Sequence, residues 1–449
     1  MTSFIKKFFK IDERHSSIRT EIIGGFVTFL AMAYILAVNP NMLANAGMPV
    51  GGVFIATALA SGIATILMGV LANYPVALST GMGINALFTF TIVLTMGYTW
   101  QEAMAATFIE SIIVLVISLT PIRSMFINAI PNGLKKAISA GIGFFIAFIG
   151  LKGAGIIVAD SSTFVTLGNF ADPTVLLATF GIFLAFALFA AKGKVSRYAF
   201  ILSIVITAAV GLILGWCGVA GMPSFTGNYT DLSGFNQTFF GFAEGLKTVF
   251  TKTNLWFVVF SLAYLDFFDT AGTLVAVAEP AQLMDKEGAI PSAGRAFAAD
   301  ACGTFISSIC GTTPVTSFVE SAAGVEAGAR TGFASVITGL LLIVSIVAYP
   351  VFSVFITSSA VTAMALVLVG VLMMSQLQGI KWDDKPTLVA AFVTIIIMML
   401  TYSIGNGIAF GFVTYTITML VQKRWKEVSP VLYVLSTFFV VYYAISAVL

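Results

Sequence analysis

Charge is what this chain has least of. Asp, Glu, Lys and Arg make up 9% of its 449 residues, whereas a soluble domain carries roughly 25%. So few charges cannot cover a surface in water, which excludes a large soluble globule. Histidine is almost missing. The single one, His15, sits in a polar N-terminal stretch, so histidine-based acid–base catalysis is not expected. The three cysteines (Cys217, Cys302, Cys310) lie in apolar runs and match no metal-ligand spacing, so neither a disulfide framework nor a metal site is expected. The net charge of +2 implies no nucleic-acid partner. Residues 1–20 are polar and basic, without the apolar run and small-residue cleavage site of a signal peptide.

What the chain has instead is hydrophobic sequence, 59% of it. The apolar residues come in runs of about 20, the length that crosses ~30 Å of hydrocarbon as a helix. Breaks at polar, Pro or Gly residues give fourteen candidate spans: 21–42, 52–72, 75–94, 102–120, 136–158, 173–191, 198–220, 255–278, 293–311, 313–328, 331–353, 358–376, 386–403 and 406–422. A further apolar tail, 430–449, either spans or lies against the bundle. With the N-terminus in the cytoplasm and sides alternating, the cytoplasmic parts hold all of the 22 basic residues except Lys152, Lys247 and Lys252. That agrees with the positive-inside rule and implies an even number of crossings up to Lys423.

A repeat is visible in the punctuation. Asn39-Pro40 ends the first span and Glu279-Pro280 the eighth; Pro75-Val76 opens the third and Pro314-Val315 the tenth; Pro173-Thr174 opens the sixth and Pro386-Thr387 the thirteenth. Seven spans separate the partners, an odd number, so the halves would be inverted in the membrane. The shorter offset of the last pair is absorbed by polar, loop-like residues near 153–172. Spans three and ten carry helix-breaking sequence, Ser79-Thr80-Gly81-Met82-Gly83 and Gly311-Thr312-Thr313-Pro314. In lipid such backbone survives only where protein or a cavity satisfies it, so matched breaks in two halves point to a binding site. Close packing of helices on small residues is the other reading of the same stretches.

Ionisable groups inside a span cost at least about 2.5–3.5 kcal/mol on insertion scales. This chain places Asp266, Asp269, Asp300 and Glu320 there, with Glu326 near a span end and Glu110 alone in the fourth span. No basic residue lies mid-span beside the acidic set. Carboxylates left so in a low dielectric take up protons, the chemistry of a proton-coupled carrier. Asp266 and Asp269 share a helix face, and Thr270 to Thr273 suits a cavity wall. Glu320 stands where span ten restarts as a helix, next to Ser321; a carboxylate there is also favoured by the helix dipole. Asn85, in the matching span, offers donor and acceptor. Asp300 either couples protons or bonds across to a neighbouring helix, and for Glu110 an interhelical hydrogen bond is expected. The substrate-binding candidates are Asn85, Asp269, Thr273, Glu320 and Ser321; the proton-coupling candidates are Asp269, Asp300 and Glu320.

Several stretches carry a family resemblance: IGGFVTFLAMAYI (23–35), GMGINA (81–86), DFFDTAGT (266–273), ADA (299–301), VESAAGV (319–325) and YSIGNGIA (402–409). With these the chain resembles the azaguanine-type purine permeases of the nucleobase–cation symporter and nucleobase-ascorbate transporter superfamily, over about residues 8 to 430. The resemblance implies an all-α membrane protein of fourteen crossings in two inverted sets of seven, the fold of the uracil transporters, with a short strand in each of spans three and ten. It implies a core domain (1–125 and 255–353) and a gate domain (126–254 and 354–449), the apolar tail falling outside the seven-plus-seven pattern. It also implies proton symport of guanine and hypoxanthine, or of adenine. Asp269 and Glu320 then correspond to the acidic pair facing substrate, Asn85 to its polar partner, and Asp300 to a structural or coupling carboxylate.

The expected function is proton-coupled uptake of a purine nucleobase across the cell membrane by alternating access, driven by the proton gradient with no cofactor. The expected partners are purine, proton and lipid bilayer. Another small planar solute, sodium coupling and homodimerisation stay open. A channel or anion carrier fits poorly with a carboxylate-rich, base-poor site. A membrane-embedded aspartate protease fits poorly because Asp266 and Asp269 share one helix instead of facing each other.

Overall fold

Breaks in the apolar runs, more than the runs themselves, decide the architecture. The computed structural model describes residues 2–118, 120, 130–197, 199–225, 229–252, 255–256, 258–263, 265–266, 270, 273, 293–356 and 358–446. The chain opens with α1 (Thr2–Phe8), α2 (Ile18–Met32), α3 (Ile35–Ala44) and α4 (Val50–Leu67), the last running on as a π-helical turn, Met68–Ala72. Strand β1 (Leu78–Thr80) leads into α5 (Met82–Ala86), which widens into a π-helical stretch, Leu87–Thr95. Then come α6 (Trp100–Ser118), α7 (Asn132–Gly153), β2 (Ile157–Asp160), β3 (Phe164–Leu167), α8 (Pro173–Ala190), α9 (Ala199–Trp216) and α10 (Phe242–Val249). Helix α11 (Ala293–Cys310) precedes a second broken segment, β4 (Val315–Ser317) and α12 (Ser321–Glu326). Helices α13 (Gly332–Val344), α14 (Ser359–Met374), α15 (Lys385–Leu400), α16 (Ile404–Val421) and α17 (Pro430–Ser446) complete the order. Among the described residues nine helices are long and apolar enough to cross a membrane; Met82–Thr95, Lys385–Leu400 and Pro430–Val441 are shorter apolar helices. Half of the eighth expected span lies outside the described residues.

Backbone proximity divides the chain into two compact units, Met1–Leu119 with Gly150–Ala365, and Thr120–Ile149 with Leu366–Leu449. In the first, the two breaks meet as a pair of strands. β1 and β4 run antiparallel, with Leu78 opposite Ser317 and Thr80 opposite Val315. The ladder is lengthened by Gly81 N donating to Pro314 O (3.1 Å) and Phe318 N to Ala77 O (2.9 Å). Each strand is tied to a neighbouring helix by hydroxyls. Thr65 of α4 donates to Leu78 O (3.0 Å), and Ser61 pairs with Ser79 (2.7 Å). Thr304 of α11 reaches Val315 O (3.0 Å). Backbone that could not cross lipid bare is thus satisfied inside the protein.

Helices α4 and α13 pack on glycine. Gly62 faces Gly339, and Gly69, in the π-helical turn, faces Gly332. Asn73 then ends that turn in the left-handed region (φ 56), and its side-chain oxygen accepts from Gly332 N at 2.7 Å. The stretch expected as a loop near 153–172 folds instead as the β2–β3 hairpin, so the fifth helix stops at Gly153, short of the expected 158. Gly155 (φ +72) turns the chain, and Asp160 closes the hairpin by accepting from Ser162 N and Thr163 N, both at 2.8 Å. Those backbone donors hold the Asp160 carboxyl below its ordinary value.

In the second unit the apolar tail forms α17 and joins α16 through Thr416–Ser436 (2.8 Å) and Tyr443–Asn406 (2.7 Å). Asp384 caps α15, accepting from Thr387 N (3.3 Å), Thr387 Oγ1 (2.6 Å) and Arg424 Nη1 (2.5 Å). Burial opposes the charged form of Asp384, but the Thr387 and Arg424 donors outweigh it and hold the carboxyl below its ordinary value. The stability this depressed carboxyl contributes is therefore present above the ordinary Asp value of about 3.9 and is lost as pH falls through the lower folded value. Asp384→Ala should lower unfolding stability at pH 7 by about 1 kcal/mol, the usual cost of a lost cap. The difference from wild type should shrink as pH falls through that lowered folded value, in thermal melts taken in detergent.

Candidate functional site

The two strands place the starts of two half-helices at opposite ends of a short ladder. Thr80 and Val315 share one end, where α5 begins; Leu78 and Ser317 share the other, towards α12. Three of the expected binding residues sit on these half-helices. Asn85, on α5, is fully buried. Its Oδ1 accepts a hydrogen bond from Thr313 Oγ1, and its Nδ2 reaches Thr80 Oγ1 at 3.4 Å. Asn85 therefore links break three to break ten. Ser321, at the first position of α12, is also fully buried, and its Oγ accepts from Ala77 N at 2.9 Å. That bond anchors the chain leading into β1.

Glu320 is the N-cap residue of α12 and is half-buried. Its Oε1 accepts from the Tyr34 hydroxyl at 2.6 Å. Tyr34 lies where α2 gives way to α3, and its ring stacks on Phe200 of α9 with centroids 5.1 Å apart and planes at 18°. A carboxylate, a phenol and a second ring stacked on that phenol thus converge from three places in the chain: α12, the α2–α3 junction and α9. Sequence reasoning missed Tyr34 and Phe200 as site residues. For Tyr34 a signal existed, a hydroxyl-bearing aromatic inside the apolar 23–35 stretch; for Phe200, one phenylalanine among 41, none did.

A second polar knot adjoins break ten. Asn39 Nδ2 donates to Thr57 Oγ1 (2.7 Å) and Thr312 Oγ1 (2.9 Å), all three fully buried. Asp300, 2% exposed, accepts from Ser317 Oγ at 3.5 Å. Thr273 is buried. Asp269 lies outside the described residues. Glu110, expected to stand alone, instead lies within electrostatic reach of Asp266 and Asp300. Among the described residues no three His, Cys, Asp or Glu side chains are placed to hold a metal ion.

Chemically the Glu320 corner accepts N–H donors and offers an aromatic face, the needs of a flat heterocycle. A family model described as "Permease family" (Xan_ur_permease) matches residues 19–442. The guanine/hypoxanthine permease PbuG of Bacillus subtilis is 45% identical over 448 residues, covering 98% of this chain and 99% of that one. The adenine permease AdeP of Escherichia coli is 37% identical over 436 residues, covering 97% and 95%. Among solved structures, the transmembrane domain of a cyanobacterium bicarbonate transporter, BicA, superposes with a TM-score of 0.62 at 12% identity, covering 87% of this chain and 97% of its own. That last likeness is one of fold.

Proposed function

We propose, from the premise that this chain belongs to the permease family, that it imports purine nucleobases across the cell membrane in symport with protons. It is a multi-pass membrane transporter and not an enzyme. The observation that carries the substrate reading is Glu320: a carboxylate at the break of segment ten, held by a phenol and flanked by stacked rings. A purine presents adjacent N–H donors and a π-face. Glu320 would take the N–H groups, Tyr34 and Phe200 would cover the ring, and Asn85, Asp269, Thr273 and Ser321 would complete the cavity.

Asp269, Asp300 and Glu320 would exchange the proton. The chain would cross fourteen times as two inverted sets of seven, N-terminus in the cytoplasm, with residues 1–125 and 255–353 as core and 126–254 and 354–449 as gate. Guanine with hypoxanthine is the first expectation for substrate, given the higher identity to PbuG, and adenine the second.

A thermal-shift screen of the purified protein against adenine, guanine, hypoxanthine, xanthine and uracil tests the substrate. A ligand at 100 times its Kd stabilises the folded state by about 2.7 kcal/mol, so a purine should raise the midpoint and uracil should not. Uptake that collapses with a protonophore tests the coupling. No shift with any purine, or uptake that follows a sodium gradient and survives the protonophore, would overturn the respective half.

A further inference from the structure

The segment before α2 folds back onto the first unit. Two left-handed turns, at Lys10 (φ 55) and His15 (φ 52), reverse the chain. They are closed by Ile11 N donating to Lys6 O and Ser16 N to Ile11 O, both at 3.0 Å. Neither residue is a glycine, so these turns persist because their surroundings hold them. Ile11 is fully buried, and the buried Phe9 ring lies 5.5 Å from that of Phe333 at the start of α13. Asn73 Nδ2 donates to Phe9 O at 2.8 Å.

Between the two turns, Arg14 joins loops that are far apart in sequence. Its Nη1 donates to Asn73 O (2.6 Å) and to Arg330 O (2.8 Å). Asn73 opens the loop that leads into β1, and Arg330 lies in the loop that leaves α12. Glu21, fully buried, completes the junction. Its Oε1 accepts from Ser16 Oγ (2.6 Å) and Arg330 N (2.9 Å), and its Oε2 from Thr331 N (3.2 Å). Arg330 Nη1 in turn donates to Val325 O (2.6 Å) and Ala329 O (2.7 Å), covering carbonyls at the end of α12.

Helix α12 has six residues, too few to hold a helix by themselves. Its place is set by contacts. At its start Glu320 accepts from Tyr34, and Ser321 from Ala77 N. On its flank Gly324 lies against Gly24 O and Thr28 of α2. At its end stand Arg330, Glu21 and Arg14. The Asn73 loop leads to the same helix: Ser335 Oγ holds Tyr74 O (2.7 Å) and Val76 O (3.1 Å), and the next residue, Ala77, is the donor to Ser321.

We propose that Arg14 is a positioning residue for substrate binding. Through Arg330 on one side and residues 73–77 on the other, it clamps α12 and so sets where Glu320 stands. The role in binding rests on the reading that Glu320 meets the purine; the clamp on α12 does not, and two measurements separate them. In hydrogen exchange, Arg14→Ala should speed the α12 amides by about fivefold or more, one hydrogen bond's worth, and leave α15 and α16 unchanged. In proteoliposomes its KM for guanine or hypoxanthine should rise at least about fivefold, the floor of typical coupling between separate positions. The maximal rate per folded transporter should stay near wild type. A merely structural loss would remove working molecules and leave KM; Asp384→Ala, which weakens a cap in the other unit, should behave so.

Arg14→Lys should recover part of both effects, because one nitrogen makes both Arg14 bonds and an ammonium can stand in for it. In Glu21→Gln one acceptor becomes a donor facing a backbone N–H. It should change exchange and KM in the same direction, and it serves if the alanine variant does not fold. Unchanged α12 exchange, or loosened α12 with a wild-type KM, overturns the proposal. Wild type that takes up no purine, with α12 still loosened in Arg14→Ala, would instead sink the purine reading and keep the clamp.

Discussion

Glu320→Gln is expected to abolish purine uptake while leaving the protein folded and in the membrane. The substitution keeps the size of the side chain, and its remaining carbonyl oxygen can still accept from Tyr34, so the packing around α12 is preserved. What changes is the second oxygen, which becomes an N–H₂ donor facing substrate N–H groups. Hydrogen bonds to a charged acceptor are worth about 1.5–3 kcal/mol each. Losing two of them lowers transport by about 100-fold or more, at 1.4 kcal/mol per factor of ten. The measurement is radiolabelled guanine or hypoxanthine uptake, normalised to surface protein, with a melt of the purified variant. Tyr34→Phe should lose much less, because Glu320 keeps both acceptor oxygens and the ring keeps its stack on Phe200. Asp269→Asn carries the same expectation as Glu320→Gln from sequence alone. Wild-type uptake in Glu320→Gln would remove the carboxylate from the site.

The location of this corner is legible in the sequence because it is written in residues that helices avoid. Gly81, Gly311 and Pro314 interrupt two apolar runs at matching places, and those interruptions become β1 and β4. What the sequence could not show is which hydroxyl each break would find. Asn85 reads as a substrate ligand because it offers a free amide in a cavity-like stretch; its partner, Thr313, is 228 positions away. Ser321 reads the same way, yet its hydroxyl supports the backbone of Ala77, 244 positions away. Such pairings follow from the antiparallel register, which no local pattern encodes. Glu110 misled for the same reason. It is the only acid in the middle of its span, and only tertiary packing brings it to Asp266 and Asp300. Residues 157–167 failed differently: both strands are half-exposed or exposed along their length, so no buried face leaves a period-two pattern, and Asp160 holds the turn through Ser162 N and Thr163 N.

The largest loss of stability is expected at the glycines between α4 and α13. A Cβ on Gly339 would stand 2.5 Å from the carbonyl oxygen of Gly62 and 2.7 Å from Ile66 Cγ1; one on Gly62 would stand 2.8 Å from Gly339 O. A Cβ on Gly69 or Gly332 would run into the other's backbone carbonyl. Ile66 could turn aside, but the glycine carbonyls are backbone and cannot, so the helices themselves must separate. In lipid, where close approach is the main attraction between helices, separation removes packing and interhelical bonds together. Gly339→Val should therefore cost about 3 kcal/mol or more, the upper range for overpacking. It should appear as lost monodisperse protein and a lower melting midpoint in detergent. Gly153→Ala is the control, since nothing lies within 4 Å of its added Cβ. Because Thr65 and Ser61 of α4 hold β1 in place, uptake should fall in step with stability in Gly339→Val. In Glu320→Gln uptake should fall alone. A Gly339→Val protein as stable as Gly153→Ala would mean that the fold does not depend on the close approach of α4 and α13, and the strand pair would need another support.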